Sequence, residues 1–164
     1  MNKEKIAFIP RQYLAVIAVL LAIMMSVLDG TIMNIALPTL AHDFDVTPST
    51  AIWIVNAYQL VITMTLLSFA SLGDIYGYRR IFLIGISIFV GASLACTLST
   101  SFWMLTAARV IQGFGAACVM SVNTALIRLI YPPQILGRGM GVNAMVVAVS
   151  AAAGPSIAGS ILAL

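Results

Sequence analysis

Five long hydrophobic runs alternate with short polar segments along the chain. The runs cover roughly residues 13–37, 51–72, 81–99, 102–127 and 140–164. Each is close to the roughly 20 residues that an α-helix needs to cross a bilayer. A segment inside a membrane must satisfy its own backbone hydrogen bonds, and no long alternating pattern indicates a β-barrel. The pattern therefore predicts an all-α, polytopic membrane bundle with five transmembrane helices.

The composition excludes a water-soluble domain. Hydrophobic residues make up 62% of the 164 residues and charged residues only 8%, and the mean hydropathy is +1.08. Polar side chains are too few to cover a soluble surface of this size. The lipid bilayer is therefore the expected surrounding of most of the chain.

The basic residues indicate how the spans are oriented. Seven of the eight Lys and Arg residues precede span 1 or lie in the loops after spans 2 and 4, which share one side of the membrane. They are Lys3, Lys5, Arg11, Arg79, Arg80, Arg128 and Arg138. Because loops rich in Lys and Arg stay inside, residues 1–12 are predicted to form a cytoplasmic N-terminus. The net charge of +3 then reflects topology, and no nucleic-acid partner is expected.

Asp29 and Arg109 are the charged residues within the predicted spans. A charge near the middle of the bilayer costs at least about 2.5 kcal/mol, so each needs compensation. Span 1 runs outward and span 4 inward, which places both residues roughly 10 to 12 Å below the outer ends of their spans. Two interpretations remain open. The residues form a fixed ion pair that only neutralises both charges, or they form a proton or cation site in which Asp29 is the sole carboxylate.

Polar side chains on spans 1, 2 and 4 recur at helical spacing, which predicts faces that avoid lipid. Gln112 shares a face of span 4 with Arg109, Asn56 and Gln59 share a face of span 2, and Asn34 lies on a second polar face of span 1. Span 3 has only Ser, Thr and Cys as polar side chains. It is predicted to lie at the lipid-facing periphery.

Span 5 combines small residues with a proline. Gly141, Gly154 and Gly159 would let a neighbouring backbone approach closely, whereas Pro155 removes one helical hydrogen bond. Ordinary tight packing explains this composition, and a hinge for alternating access explains it as well.

The turn between spans 2 and 3 carries the first family resemblance. Residues 70–80, ASLGDIYGYRR, resemble the loop signature of the major facilitator superfamily, G-x-x-x-D-R-x-G-R-[RK]-[RK]. They keep Asp74, Gly77, Arg79 and Arg80, whereas Tyr78 stands where the signature has a further basic residue. The charge network of this loop is therefore thinner than is typical.

Three further segments resemble the fourteen-span drug:proton antiporters within that superfamily. Residues 28–38, LDGTIMNIALP, resemble the span 1 signature, and residues 109–116, RVIQGFGA, resemble the span 4 signature R-x-x-Q-G-x-G-[AG]. Residues 141–159 resemble the span 5 antiporter signature, with Ser150 and Ala158 replacing two glycines. The resemblance runs from Leu14 to Leu164.

This resemblance implies an inner-membrane exporter that exchanges protons for a hydrophobic, often cationic, small molecule by rocking two six-helix bundles around a central cavity. The chain would supply five helices of the first bundle, and the C-terminal helices of the same transporter would be its partners. The roles implied are proton coupling by Asp29 and Arg109; a substrate cavity with Asn34, Asn56, Gln59 and Gln112; a gating loop with Asp74, Gly77, Arg79 and Arg80; and an antiporter hinge with Gly154, Pro155 and Gly159.

Other functions remain open. A non-transporting five-helix subunit or pump remnant would explain the number of helices, and a superfamily member could move another small solute. No enzyme is predicted, because no set of nucleophile, base and metal ligands converges in the spans. Cys96 and Cys118 lack metal-binding spacing, so neither a metal site nor a cofactor is expected.

Overall fold

The computed structural model describes residues 10–162, and every long element among them is an α-helix. The helices are α1 (Pro10–Asp43), α2 (Pro48–Tyr76), α3 (Tyr78–Thr97), α4 (Phe102–Ile130) and α5 (Leu136–Leu162), with a short 3₁₀ turn at Pro133–Ile135. All five helices are long enough and apolar enough to cross a membrane. The predicted all-α bundle of five spans is confirmed. Lys3, Lys5 and most of the predicted N-terminal segment lie outside the described residues.

The helices are longer than the hydrophobic runs, because hydropathy marks only the part of a helix that is suited to the lipid core. α1, for example, continues through Pro38. Short polar side chains mark two of the helix starts. Thr47 accepts a hydrogen bond from the backbone N–H of Thr50, and Ser101 accepts one from the backbone N–H of Met104, both at 3.3 Å. These side chains cap the first turns of α2 and α4.

α4 lies at the centre of the bundle. It packs most extensively against α3 and α2 and also contacts α1, and most of its membrane-spanning length is buried. The other helices expose long apolar faces, as expected of helices that contact lipid. On α3 these exposed residues include Leu83, Ile84 and Leu94, which agrees with the peripheral position predicted for span 3.

Two glycines bring the backbones of α3 and α4 close together. A Cβ atom at Gly115 would lie 2.5 Å from the backbone nitrogen of Phe89 and 2.8 Å from the carbonyl oxygen of Gly85. A Cβ atom at Gly85 would lie 2.6 Å from Cβ of Cys118. A side chain at either glycine would therefore push the two helices apart.

α1 packs against α5 on another side of the bundle. Gly154 lies against Thr31 of α1, where a Cβ atom on Gly154 would be 2.6 Å from Cβ of Thr31. Among the described residues, by contrast, no neighbouring atom lies within 4 Å of the corresponding position at Gly141 or Gly159. The close approach expected for span 5 thus occurs at Gly154, whereas Gly141 and Gly159 lie at exposed positions of α5.

Candidate functional site

Asp29, Arg109 and Gln112 form a closed ring of hydrogen bonds between α1 and α4. Arg109 donates from Nη1 to Oδ2 of Asp29 and to Oε1 of Gln112, both at 2.7 Å. Gln112 donates from Nε2 to Oδ1 of Asp29 at 3.0 Å. Arg109 is 0% exposed, whereas the side chain of Asp29 keeps 21% of its surface accessible. Both carboxylate oxygens therefore have a donor, and the buried cation has an anionic partner.

The local sequence explains this geometry. Arg109 and Gln112 are three residues apart on α4 and therefore share the face that meets α1. Counting residues from the helix ends predicted that Asp29 and Arg109 lie at the same depth, and the structure places them in direct contact. Gln112 was predicted to line the cavity wall. Its amide bridges the two charged side chains, and Gln112 also lines the cavity described below.

Tyr58 of α2 covers the Arg109 guanidinium. Cζ of Arg109 lies 4.2 Å from the centroid of the Tyr58 ring, within the range of a cation–π contact. Gly113 allows this approach, because a Cβ atom there would be 3.0 Å from the Tyr58 carbonyl oxygen. Nε and Nη2 of Arg109 are buried without a hydrogen-bond partner in the described part of the chain. A carboxylate, an amide and an aromatic ring thus hold the guanidinium.

A cavity of about 320 Å³ lies on the α3 side of the ring, between α1, α3 and α4. Asp29, Arg109 and Gln112 line it together with Cys96. The Cys96 thiol is free and lies 3.6 Å from Oε1 of Gln112, to which it donates. We call this space the Cys96 cavity.

A second cavity of about 230 Å³ lies on the α2 side, between α1, α2 and α4. We call it the amide cavity, and its polar lining includes Asn34, Gln59, Tyr58 and Arg109. Asn34 and Gln59, both predicted for the substrate cavity, therefore line one space. The structure does not bring Asn56 to either cavity: it lies on an exposed part of α2.

The predicted gating loop is a tight turn between α2 and α3. Gly77 has φ +93°, a left-handed conformation that glycine adopts without steric cost. Asp74, in the last turn of α2, accepts a hydrogen bond at Oδ1 from the hydroxyl of Tyr78. Arg79 and Arg80 are exposed at the start of α3. The acid of this turn is therefore bound by a neutral hydroxyl at the position where the loop signature has a basic residue.

The predicted hinge lies in the second half of α5, which continues through Pro155 to Leu162. Gly154 is buried against α1, whereas Pro155 and Gly159 are exposed. The three residues of the predicted hinge therefore have different surroundings in this bundle.

Two features were missed by the sequence analysis. Asn123 donates from Nδ2 to Oδ1 of Asn143 at 3.0 Å, which links α4 to α5. The signal was present, since an amide within a span needs a partner. Tyr58 was not assigned a contact with Arg109, although Ile54, Tyr58 and Ile62 recur every fourth residue and form the buried face of α2.

Comparison with known proteins identifies related sequences. The family model described as Major Facilitator Superfamily matches residues 19–164. The chain is 58% identical over 156 residues to the uncharacterized transporter YebQ of Escherichia coli (strain K12). The aligned region covers 95% of this chain and 34% of YebQ. This chain therefore spans about a third of the length of the curated relatives that it matches.

Two further relatives have more specific names. The riboflavin transporter RibZ of Clostridioides difficile is 36% identical over 152 residues, covering 93% of this chain and 33% of that protein. The drug efflux pump JefA of Mycobacterium tuberculosis is 38% identical over 151 residues, covering 92% of this chain and 30% of that protein. All three names describe transport rather than catalysis.

Proposed function

Because this chain belongs to the major facilitator superfamily of membrane transporters, we propose that it forms part of a proton-coupled antiporter that exports hydrophobic small molecules. Its five membrane-spanning helices make it a multi-pass membrane protein. The observation that carries the proposal is the hydrogen-bonded ring of Asp29, Arg109 and Gln112. A relative named as a drug efflux pump supports the direction of transport.

In this proposal Asp29 carries the proton. A proton on either oxygen removes the negative charge that compensates the buried guanidinium of Arg109. Leaving one member of a buried ion pair without its partner costs about 3–5 kcal/mol. Protonation therefore favours a rearrangement of α1 relative to α4, and loss of the proton restores the ring.

The energy that one proton releases in crossing the membrane is similar to the cost of breaking the pair between Asp29 and Arg109. One proton moving across 100 mV releases about 2.3 kcal/mol, and each unit of pH difference adds about 1.4 kcal/mol. One proton crossing a gradient of both kinds thus supplies about 3.7 kcal/mol, which is comparable with the cost of about 3–5 kcal/mol for breaking the pair.

The remaining assignments follow the same scheme. Asn34 and Gln59 contribute to the substrate cavity, the turn from Asp74 to Arg80 acts in gating, and Gly154 acts at the contact between α1 and α5. The N-terminus is cytoplasmic and the membrane is the inner or plasma membrane, as the distribution of basic loops suggests. The relatives are about three times as long as this chain. In this proposal, helices that correspond to the rest of their length complete the cavity.

Transport of another small solute is the second candidate. It is favoured by the relative named as a riboflavin transporter, which is as similar to this chain as the drug efflux pump is. The proton-coupling mechanism is the same for both candidates, and only the cargo differs.

The proposal is tested with inverted membrane vesicles that contain the intact transporter. Respiration acidifies the lumen, and uptake of the neutral hydrophobic dye Nile red is followed by fluorescence with and without a protonophore. We expect Asp29→Asn to reduce protonophore-sensitive uptake at least about tenfold, which corresponds to about 1.4 kcal/mol. Immunoblotting confirms equal membrane abundance.

Asp45→Asn is the matched control. It makes the same chemical change at an exposed residue outside the helices, and its φ of 49° is one that asparagine also adopts. Uptake by this variant should equal that of the wild type. Protonophore-sensitive uptake that survives in Asp29→Asn would refute the role of Asp29.

A further inference from the structure

The Cys96 cavity and the amide cavity differ in whether Asp29 lines them. Asp29 lines the Cys96 cavity and is not among the described residues that line the amide cavity. Of the two cavities, Asn34 and Gln59 line only the amide cavity. Resting on the proton coupling proposed above, we infer that the Cys96 cavity is the route by which protons reach Asp29 from the outer face. This route is separate from the space assigned to the substrate.

The Cys96 cavity extends from the hydrogen-bonded ring towards one end of the bundle. On α1 its lining runs from Asp29 to Leu40, a rise of about 16 Å along the helix, and it continues to Phe44 just after that helix. On the other two helices the lining reaches Leu105 near the start of α4 and Ser99 just after α3. The proposed topology puts this end of the bundle outside, because the basic loops lie at the other end.

The size and the wall of the Cys96 cavity suit water. Its volume of about 320 Å³ is far larger than one water molecule needs. The side chain of Asp29 keeps 21% of its surface accessible, whereas that of Arg109 keeps 1%. Ser93, Thr97 and Ser99 also line the cavity, and each hydroxyl oxygen can accept a hydrogen bond from water. Chains of water transfer protons, so this space can deliver a proton to the accessible carboxylate.

The other titratable groups around Asp29 do not compete for that proton. Arg109 faces it from α4, Cys96 from α3 and Tyr58 from α2. A guanidinium, a thiol and a phenol all keep their protons near neutral pH. The carboxylate of Asp29 is therefore the group that accepts the proton at the end of the route.

On the inner side of the ring the bundle is apolar. A cavity of about 230 Å³ lies there, and Ser26 is the one polar side chain among its described lining residues, which include Leu21, Phe89 and Val119. The hydroxyl of Ser26 donates to the carbonyl oxygen of Ala22 at 3.0 Å. Because apolar cavities stay dry, water reaches Asp29 from one side of the membrane only in this arrangement of the helices.

Labelling of engineered cysteines tests the route. Ser93→Cys is nearly isosteric and places a thiol in the cavity wall. Leu94→Cys is the matched control, because the neighbouring side chain on α3 is 61% exposed on the lipid-facing surface. Both variants of the intact transporter also carry Cys96→Ser, so the native thiol of the cavity does not react.

Right-side-out membrane vesicles are treated with a membrane-impermeant methanethiosulfonate that carries a sulfonate, and peptide mass spectrometry follows the label. We expect Ser93→Cys to react at least about tenfold faster than Leu94→Cys, equivalent to about 1.4 kcal/mol in activation free energy. Labelling of Ser93→Cys in inverted vesicles should be slower by a similar factor.

The label on Ser93→Cys should block the proton route and leave the substrate space open. Efflux of Nile red from right-side-out vesicles, driven by an acidic exterior and corrected for vesicles without the transporter, should fall several-fold. Binding of Nile red to the purified, labelled transporter should stay unchanged. Leu94→Cys treated in the same way should keep both efflux and binding.

The outcomes separate this inference from proton coupling itself. Equal labelling of the two cysteines, or faster labelling of Ser93→Cys from the inner face, would overturn the route, and loss of dye binding in step with efflux would overturn its separation from the substrate. Slow labelling together with an inactive Asp29→Asn variant would remove the route and leave proton coupling standing. Fast labelling together with proton-driven transport by Asp29→Asn would refute the proposed role of Asp29 and leave only the access of water from the outer face.

Discussion

Replacing Gly154 by alanine is expected to loosen the contact between α1 and α5. The added Cβ atom would lie 2.6 Å from Cβ of Thr31, whereas carbon atoms in favourable contact are about 3.5–4.0 Å apart. The helices must therefore separate by about 1 Å at this point. Because Cβ of Thr31 is bonded directly to the backbone Cα, no rotation of the side chain can move that atom away.

Two opposing contributions determine how much Gly154→Ala changes the free energy of unfolding. Overpacking of a well-packed contact costs about 1–3 kcal/mol, while replacing glycine by alanine inside a helix gains about 1 kcal/mol. Gly154→Ala should therefore lower the free energy of unfolding by about 0–2 kcal/mol. Gly159→Ala on the same helix receives the same gain without the clash, so the two variants should differ by about 1–3 kcal/mol.

Equilibrium unfolding of the purified intact transporter in SDS measures this difference. It corresponds to a factor of about 5–150 in the unfolding equilibrium. A double-mutant cycle with Thr31→Gly adds a second check, because removal of Cβ at residue 31 should cancel most of the effect of alanine at residue 154. Equal stability of Gly154→Ala and Gly159→Ala, or no coupling to Thr31→Gly, would refute the argued contact.

Two other substitutions test the packing of α4 and the gating turn. Gly115→Ala meets rigid backbone atoms of α3, and an overpacking cost of about 3 kcal/mol less the helical gain of about 1 kcal/mol should lower the stability by about 2 kcal/mol. Gly91→Ala has open space at its Cβ position and should keep the gain of about 1 kcal/mol; similar unfolding curves would contradict this. Tyr78→Phe removes the hydroxyl that binds Asp74 and should leave the stability almost unchanged at this exposed turn yet change the transport rate. Tyr76→Phe in the same turn is the control, and equal rates for both variants would contradict a gating role for that bond.

The depth of charged residues in the membrane was accessible from the sequence. The rise per residue is fixed in a helix, so counting from the ends of two antiparallel spans placed Asp29 and Arg109 at one level. A charge inside the bilayer needs a partner, and only one of opposite sign was present in the spans. Depth and charge together were sufficient to anticipate this pair.

The sequence could not predict how each helix is rotated about its own axis. Asn56 and Gln59 are three residues apart on α2 and were assigned to one wall, yet only Gln59 lines a cavity. The contact between Tyr58 and Arg109 likewise depends on how α2 faces α4. Periodicity shows which residues share a face, but packing of all neighbouring helices decides what that face meets.

The surroundings of Gly154 favour one of the two interpretations of span 5. Asp29 and Thr31 are two residues apart on α1, so their side chains lie about 200° apart around the helix. Asp29 contacts Arg109 of α4 on one side, and Thr31 lies against Gly154 of α5 on the other. One turn of α1 is therefore held between the candidate coupling site and α5, and it cannot shift against α4 without changing its fit against Gly154. In this bundle the glycine serves to admit Thr31, which favours close packing over a hinge as the reason for its presence.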